Sequence, residues 1–333
     1  VVRRVEKVRA LVTGATGFIG GHLVEELDRR GWGVRCLVRE ASDTRRLATL
    51  GFELVRGDYE EAGSLERAVE GVDYVFHLAA VISALEWEEY RRANVVATDH
   101  LLAACASRNP GLRRFVFVSS ISAAGPSRPG RAKTEDDPCT PVSDYGRSKL
   151  LAEQAVLVYG ERFPVVIVRP PNVIGPRQRE LEEAIRLIRK RIMPAIGTGK
   201  PQTSLCYVAD VVRALILCAE HPAAAGQVYF LADPRPYAWK EINQSIAAAL
   251  GIRGFILKVP YFAEFLVAAL SEAAARRTKS RPRLTRELVR APRRHEWIFD
   301  GAKIRRELGF ETSVGLEEAI ERTVAWQRDQ GGI

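Results

Sequence analysis

A chain of 333 residues, 47% hydrophobic and 27% charged, has the composition of an ordinary globular protein and length for about two domains. Its five cysteines, Cys36, Cys105, Cys139, Cys206 and Cys218, are odd in number and contain no CxxC pair, which argues against a disulfide framework or a structural metal site and for a reducing, cytoplasmic setting. The net charge of +9 is concentrated in residues 276–294, where nine Arg and Lys stand against Glu287; the remainder is near neutral and has no aromatic-rich basic module, so no nucleic-acid partner is expected.

In chain order, short apolar or β-branched runs predict strands at Arg9–Thr13, Gly33–Val38, Glu53–Val55, Tyr74–Leu78, Phe115–Ser119 and Val165–Arg169. Helical patterns lie between them at 18–30, 63–70, 87–107 and 144–161. Strands that are apolar throughout and joined by helices imply an α/β fold with a doubly wound parallel sheet, covered on both faces. After Arg169 the texture changes at Pro170-Pro171, and one further strand-like run returns at Gln227–Leu231. The expected division is a dinucleotide-binding domain at 1–175, with 227–233 returning to its sheet, and a smaller, mostly helical substrate portion at 176–226 and 234–333. No signal peptide is expected, since Ala10-Leu11-Val12 runs straight into a glycine loop. No apolar run approaches the ~20 residues that span a bilayer.

Gly14, Gly17 and Gly20 form a GxxGxxG pattern directly after a strand and before a helix. The first glycine permits the tight turn, the second lets the backbone approach a pyrophosphate, and the third lets helix and strand pack closely. The helix start then offers free N–H groups to phosphate. At the end of the second strand, where NAD enzymes commonly place an acid for the ribose 2′-hydroxyl, this chain has Arg39 followed by Glu40. A guanidinium suits a 2′-phosphate, so NADP is favoured over NAD; an arginine stacked on adenine would permit either.

Tyr145 and Lys149 form a YxxxK pair whose i,i+4 spacing puts both side chains on one helix face. A nearby ammonium is expected to lower the phenol's pKa from its usual ~10. Ser119 and Ser120 lie at the carboxyl end of a predicted parallel strand, where such sheets bind ligands, and a serine there can hydrogen-bond a carbonyl oxygen gaining negative charge.

Together these residues resemble the extended short-chain dehydrogenase/reductases of the epimerase/dehydratase superfamily, over essentially the whole chain. The TGATGFIG run at 13–20 looks like their nucleotide loop, Gly57-Asp58 like their adenine contact, His77-Leu78-Ala79-Ala80 like the strand end beside the cofactor, Asn94-Val95 like their buried helix asparagine, and Arg169-Pro170 like the strand end near the nicotinamide. The resemblance implies a Rossmann fold and a Ser-Tyr-Lys mechanism at Ser120, Tyr145 and Lys149. It further implies cofactor contacts from Gly14, Thr16, Gly17, Phe18, Ile19, Gly20, Arg39, Asp58, Tyr59, Leu78, Ala79, Ala80, Asn94, Ser119, Tyr145, Lys149, Pro170, Asn172 and Val173. In such proteins the helices at 87–107 and 144–161 commonly pair across a two-fold axis, so a homodimer is expected.

Three features speak to the branch. Ser120 is followed by Ile121-Ser122-Ala123, not by the acidic pair of the 4,6-dehydratases. Thr203 stands seven residues before Asp210, where nucleotide-sugar enzymes often carry a diphosphate-binding arginine. Residues 255–275 are unusually apolar, and with SSISAAGP at 119–126 they resemble the 3β-hydroxysteroid dehydrogenase and dihydroflavonol reductase branch. The small-molecule substrate implied is a hydrophobic ketone or alcohol. The rivals are a nucleotide-sugar 4-epimerase with tightly held NAD and, more weakly, a non-catalytic dinucleotide sensor. For 255–294 a pocket lid walled by Phe262 and Phe265 is favoured over membrane-surface contact, because Glu264 and Glu272 interrupt the apolar run and would be turned to water on a packed helix.

Overall fold

The computed structural model describes residues 7–193, 201–253, 257–258, 261–278, 286, 289 and 296–332. Strands β1 (Arg9–Thr13), β2 (Gly33–Val38), β3 (Glu53–Arg56), β4 (Tyr74–His77), β5 (Arg114–Val118) and β6 (Val165–Arg169) fall within a residue or so of the runs read from sequence. After them come β7 (Asn172–Ile174) and the short β8 (Ile192–Met193), β9 (Gln202–Thr203) and β10 (Leu205–Tyr207). The last are β11 (Val228–Phe230), β12 (Tyr237–Ala238) and β13 (Leu257–Lys258).

The main sheet has seven strands in the order β11-β6-β5-β4-β1-β2-β3, every pairing parallel. Its order reverses between β1 and β4, and the carboxyl ends of that pair, Thr13 and His77, are in register. Such a switch point opens a crevice for a ligand, because the connecting chains leave in opposite directions.

Period-two alternation sorts the central strands between two cores. Ala10, Val12, Val116, Val118, Val166 and Val168 join one hydrophobic cluster; Leu11, Phe115, Phe117, Val165 and Ile167 join the other. A strand buried on both faces has no polar side to show, which is why these runs read as continuously apolar. Each fully buried Phe or Leu contributes about 1.5–3 kcal/mol of burial free energy.

The helices are α1 (Phe18–Arg29), α2 (Arg45–Thr49), α3 (Ala62–Val69), α4 (Trp87–Tyr90), α5 (Ala97–Arg108), α6 (Ile121–Ala124) and α7 (Asp144–Val158). Then follow α8 (Arg179–Arg189), α9 (Val208–Glu220), α10 (Trp239–Ala249), α11 (Tyr261–Thr278), α12 (Ala302–Leu308) and α13 (Leu316–Asp329). The segment expected as one helix at 87–107 is broken: a π-helical turn at Arg91–Val96 separates α4 from α5 and turns Asn94 inward. Among the described residues, no helix is long and apolar enough to cross a membrane.

Of the expected lid segment at 255–294, only 257–258, 261–278, 286 and 289 are described; Arg290 and Arg293, the arginines that could supply a diphosphate contact in place of Thr203, lie outside the described residues. The orientation of α11 differs from expectation. Phe262 stands 72% exposed and Phe265 is half-buried. Glu272 is turned inward, its side chain 14% exposed and paired with Arg286 at 2.8 Å. Spacing of four puts Phe262, Leu266 and Leu270 on one side, and the residues the helix buries are instead alanines, Ala268 and Ala275.

The third glycine of the loop is fixed by space. A Cβ on Gly20 would lie 2.1 Å from the Gly14 carbonyl oxygen, whereas on Gly21 its nearest neighbour would be 3.6 Å away. Gly20→Ala therefore forces α1 off β1 and should lower the thermal midpoint by several degrees, a cost of about 1–3 kcal/mol. Gly21→Ala should stay near wild type in the same calorimetric scan.

Candidate active site

The crevice between β1 and β4 is lined by backbone. Gly14 has φ +73°, which favours glycine, and a Cβ there would stand 2.8 Å from the Ala79 nitrogen. Helix α1 opens at Gly17 with no side-chain cap and no acid in its first turn, leaving its positive end to an anion. Thr16, Phe18, Ile19 and Gly20 follow the turn; Leu78, Ala79 and Ala80 form the opposite lip after β4. Gly57 packs against Ser64, with its N–H donating to the Val38 carbonyl at 3.0 Å. Asp58 follows, exposed, beyond the end of β2 and β3. These residues fit a dinucleotide: the cradle is one that a side chain would fill, and beside it the buried Ser119 hydroxyl has no hydrogen-bond partner among the described residues.

A buried relay that sequence reading did not assign supports this lip. Thr13 Oγ1 lies 2.7 Å from His77 Nδ1 and accepts from the Leu78 and Ala79 N–H groups at 3.2 Å. His77 Nε2 lies 2.9 Å from Thr98 Oγ1, which donates to the Asn94 carbonyl at 2.7 Å. The hydroxyl of Thr98 has thus spent its proton, so Nε2–H is the donor to it and Nδ1 accepts from Thr13. Burial, with a smaller contribution from the Lys149 charge, pushes the His77 pKa down to about 3.

Asn94 lies one layer behind the crevice. Its Oδ1 accepts from Val81 N–H at 2.7 Å, and its Nδ2 donates to the Val81 carbonyl and to Ser148 Oγ, both at 2.9 Å. Both amide protons are therefore engaged by protein, and the side chain braces α7 against the β4 lip.

Ser120, Tyr145 and Lys149 are brought together at the carboxyl end of β5. Ser120 caps the short α6, accepting from Ser122 N–H at 3.1 Å, and its hydroxyl stands beside the Tyr145 phenol. Gly146 makes that contact possible, because a Cβ there would lie 2.2 Å from the Ser122 carbonyl oxygen. Lys149 is buried; its Nζ donates to the Val118 carbonyl at 2.9 Å and sits 4.0 Å from the centroid of the Phe117 ring. One turn on, Glu153 pairs with Arg169 at 2.6 Å, both side chains buried. Pro170 and Val173 are buried at the end of β6 and in β7, and the Pro170 carbonyl accepts from Ile121 N–H at 3.1 Å.

The electrostatics correct one expectation. Burial pushes the Tyr145 phenol up to about 12, outweighing the influence of the neighbouring Ser120 hydroxyl, and pushes the Lys149 ammonium down to about 7 against the opposing pull of Glu153. Lowering of the phenol by a neighbouring ammonium is absent, because Lys149 is directed at the Val118 carbonyl and the face of Phe117.

Three further residues clarify the sequence reading. Glu40 pairs with Arg56 at 3.1 Å, and the exposed Arg39 guanidinium forms no ion pair among the described residues. Thr203 is buried, and its Oγ1 accepts from Asn172 Nδ2 at 2.6 Å.

Residues 10–232 match the NAD dependent epimerase/dehydratase family, so the chain belongs to that family, within the extended short-chain dehydrogenase/reductases. It is an NAD(P)-dependent oxidoreductase. It is 32% identical over 321 residues to a 4-hydroxy-2-methyl-3-oxo-4-farnesyl-3,4-dihydroquinoline-1-oxide ketoreductase from Stigmatella aurantiaca, covering 94% of this chain and 95% of the relative. It is 28% identical to a 2-alkyl-3-oxoalkanoate reductase from Stenotrophomonas maltophilia, over 96% of this chain and 99% of the relative. Among solved structures, MoeE5 in complex with UDP-glucuronic acid and NAD superposes with TM-score 0.77 and 29% identity, over 97% of this chain and 99% of that one.

The buried histidine gives a pH test. Its folded pKa lies below the ordinary 6.5, so above that pH it is neutral in both states and contributes no pH dependence. As pH falls from about 6.5 towards 3 the unfolded chain takes up a proton that the folded chain refuses, and stability falls by up to about 1.4 kcal/mol per pH unit. Urea midpoints measured between pH 7 and about 4 should fall more steeply for the wild type than for His77→Gln. Parallel slopes would remove His77 from the acid limb.

Proposed function

We propose that this enzyme reduces a hydrophobic ketone with NADPH. The observation that carries the reading is the Ser120 hydroxyl on the Tyr145 phenol at the carboxyl end of β5, with Lys149 one turn behind. A bound nicotinamide supplies hydride to the carbonyl carbon. Ser120 holds the carbonyl oxygen, and Tyr145 delivers the proton to it. A phenol with a pKa pushed up to about 12 is protonated throughout the physiological range, the form that ketone reduction consumes. Lys149, poised at about 7, positions the cofactor ribose and returns the proton to the phenol. Ser119, Pro170, Asn172 and Val173 bound the nicotinamide end, and residues 176–226 and 234–333 form the substrate side.

An apolar substrate is supported by the two relatives, whose names describe reductases of farnesyl- and alkyl-bearing ketones, and by Thr203. A buried threonine hydrogen-bonded to Asn172 offers no fork for a diphosphate. The likeness to MoeE5 favours a nucleotide-sugar substrate as the second reading, and it is separable, since that reaction turns over without net cofactor oxidation. The exposed Leu157 and Val158 on α7 support a homodimer through the α5 and α7 faces.

Tyr145→Phe should lower ketone reduction by about 10²–10⁴-fold, the usual worth of a general acid, while fluorescence titration with NADPH stays close to wild type. Retained turnover would remove Tyr145 from proton transfer.

The cofactor preference rests on Arg39, whose free guanidinium suits a 2′-phosphate. Steady-state kinetics with both cofactors should show NADPH preferred, and Arg39→Asp should shift the kcat/KM ratio towards NADH by about tenfold or more. A wild-type preference for NADH would contradict the assignment.

A further inference from the structure

We propose that α11 is a membrane-surface helix whose outward face docks shallowly into the headgroup region of an anionic bilayer. Phe262, Leu266, Val267 and Leu270 are 72%, 57%, 57% and 61% exposed. They are four of the ten large hydrophobic residues exposed among the described residues, gathered on one helix. Single exposed apolar residues are ordinary on a protein surface; a contiguous row marks an interaction surface. Ala273 and Ala274 extend the row, and Arg277 closes it on the same side at 100° per residue.

The opposite side explains how the helix is held. Ala268 and Ala275 are buried, and Glu272 is paired with Arg286. The helix thus buries small residues and presents its large ones outward, the reverse of an ordinary surface helix. Glu272 is neutralised and directed away, so it does not oppose insertion of the apolar face.

Charge selects the occupant. Arg276 and Arg277 are exposed in the last turn of α11, and the sequence from 276 to 294 carries nine basic residues against one acid. An anionic lipid surface complements both the apolar row and its cationic border, which is the composition of interfacial helices. A second copy of this chain would bring a further +9 charge to the same patch. The proposal is independent of the substrate assignment.

The test is sedimentation of the intact protein with vesicles of phosphatidylcholine alone or with about 30% phosphatidylglycerol. We expect binding to the anionic vesicles at low salt, weakened about tenfold both by ~0.5 M salt and by the combined substitutions Phe262→Ser, Leu266→Ser and Leu270→Ser. Circular dichroism should report an unchanged fold, since all three positions face solvent. Should that variant unfold, Arg276→Ser with Arg277→Ser carries the test, with about tenfold weaker vesicle binding expected. Absence of anionic-vesicle binding by the wild type, or undiminished binding by a folded variant, would overturn the proposal. So would a lipid-free dimer that the apolar-face substitutions dissociate, since the face would then be a subunit contact.

Discussion

The narrowness of the crevice between β1 and β4 is the constraint on which the rest of the site depends. Gly14 and Ala79 approach so closely that a methyl group cannot stand between them. Thr13 and His77, paired across the same seam, hold that separation with hydrogen bonds shielded from solvent. Because His77 reaches on to Thr98 and Asn94, and Asn94 to Ser148 on α7, the lip after β4 and helix α7 share one polar network. A hydrogen-bonded chain buried in a medium of low polarity is costly to break at any link, so the two halves are held in fixed register.

The second constraint is the close approach of α7 to the end of β5. Gly146 admits the Ser122 carbonyl, and Lys149 ties the helix to Val118. The lysine is therefore part of the scaffold as well as of the proposed chemistry. Its burial lowers its pKa against the opposing pull of Glu153, and burial beside it raises that of Tyr145. The two groups diverge from their solution values in opposite directions, as expected when each charged form is denied water.

Much of this was legible in the residues. The sheet strands were readable because residues such as Val116, Phe117, Val166 and Ile167 are apolar on both faces, and Gly14, Gly17, Gly20, Tyr145 and Lys149 were readable from their spacing. Helices α2 and α6 were not, since four or five residues carry too little periodicity to be distinguished from a turn. Nor was the π-helical turn, which directs Asn94 inward to brace α7 against the β4 lip and has no compositional mark. The structural demand on Gly146 was hidden because its neighbour, Ser122, is distant in sequence. The orientation of α11 was misjudged for a physical reason: with apolar residues on nearly every side, periodicity could not say which face the alanines would claim. Glu40 beside Arg39 was ambiguous until Arg56 was seen to hold it.

The measurement that bears most directly on the central claim is transfer of label from NADPH deuterated at nicotinamide C4 to a long-chain 3-oxo ester, followed by mass spectrometry. Ketone reduction predicts one deuterium on the product's carbinol carbon, with one cofactor oxidised for each alcohol formed. Failure to label any apolar ketone, together with inversion of a UDP-sugar at constant bound cofactor, would contradict the account.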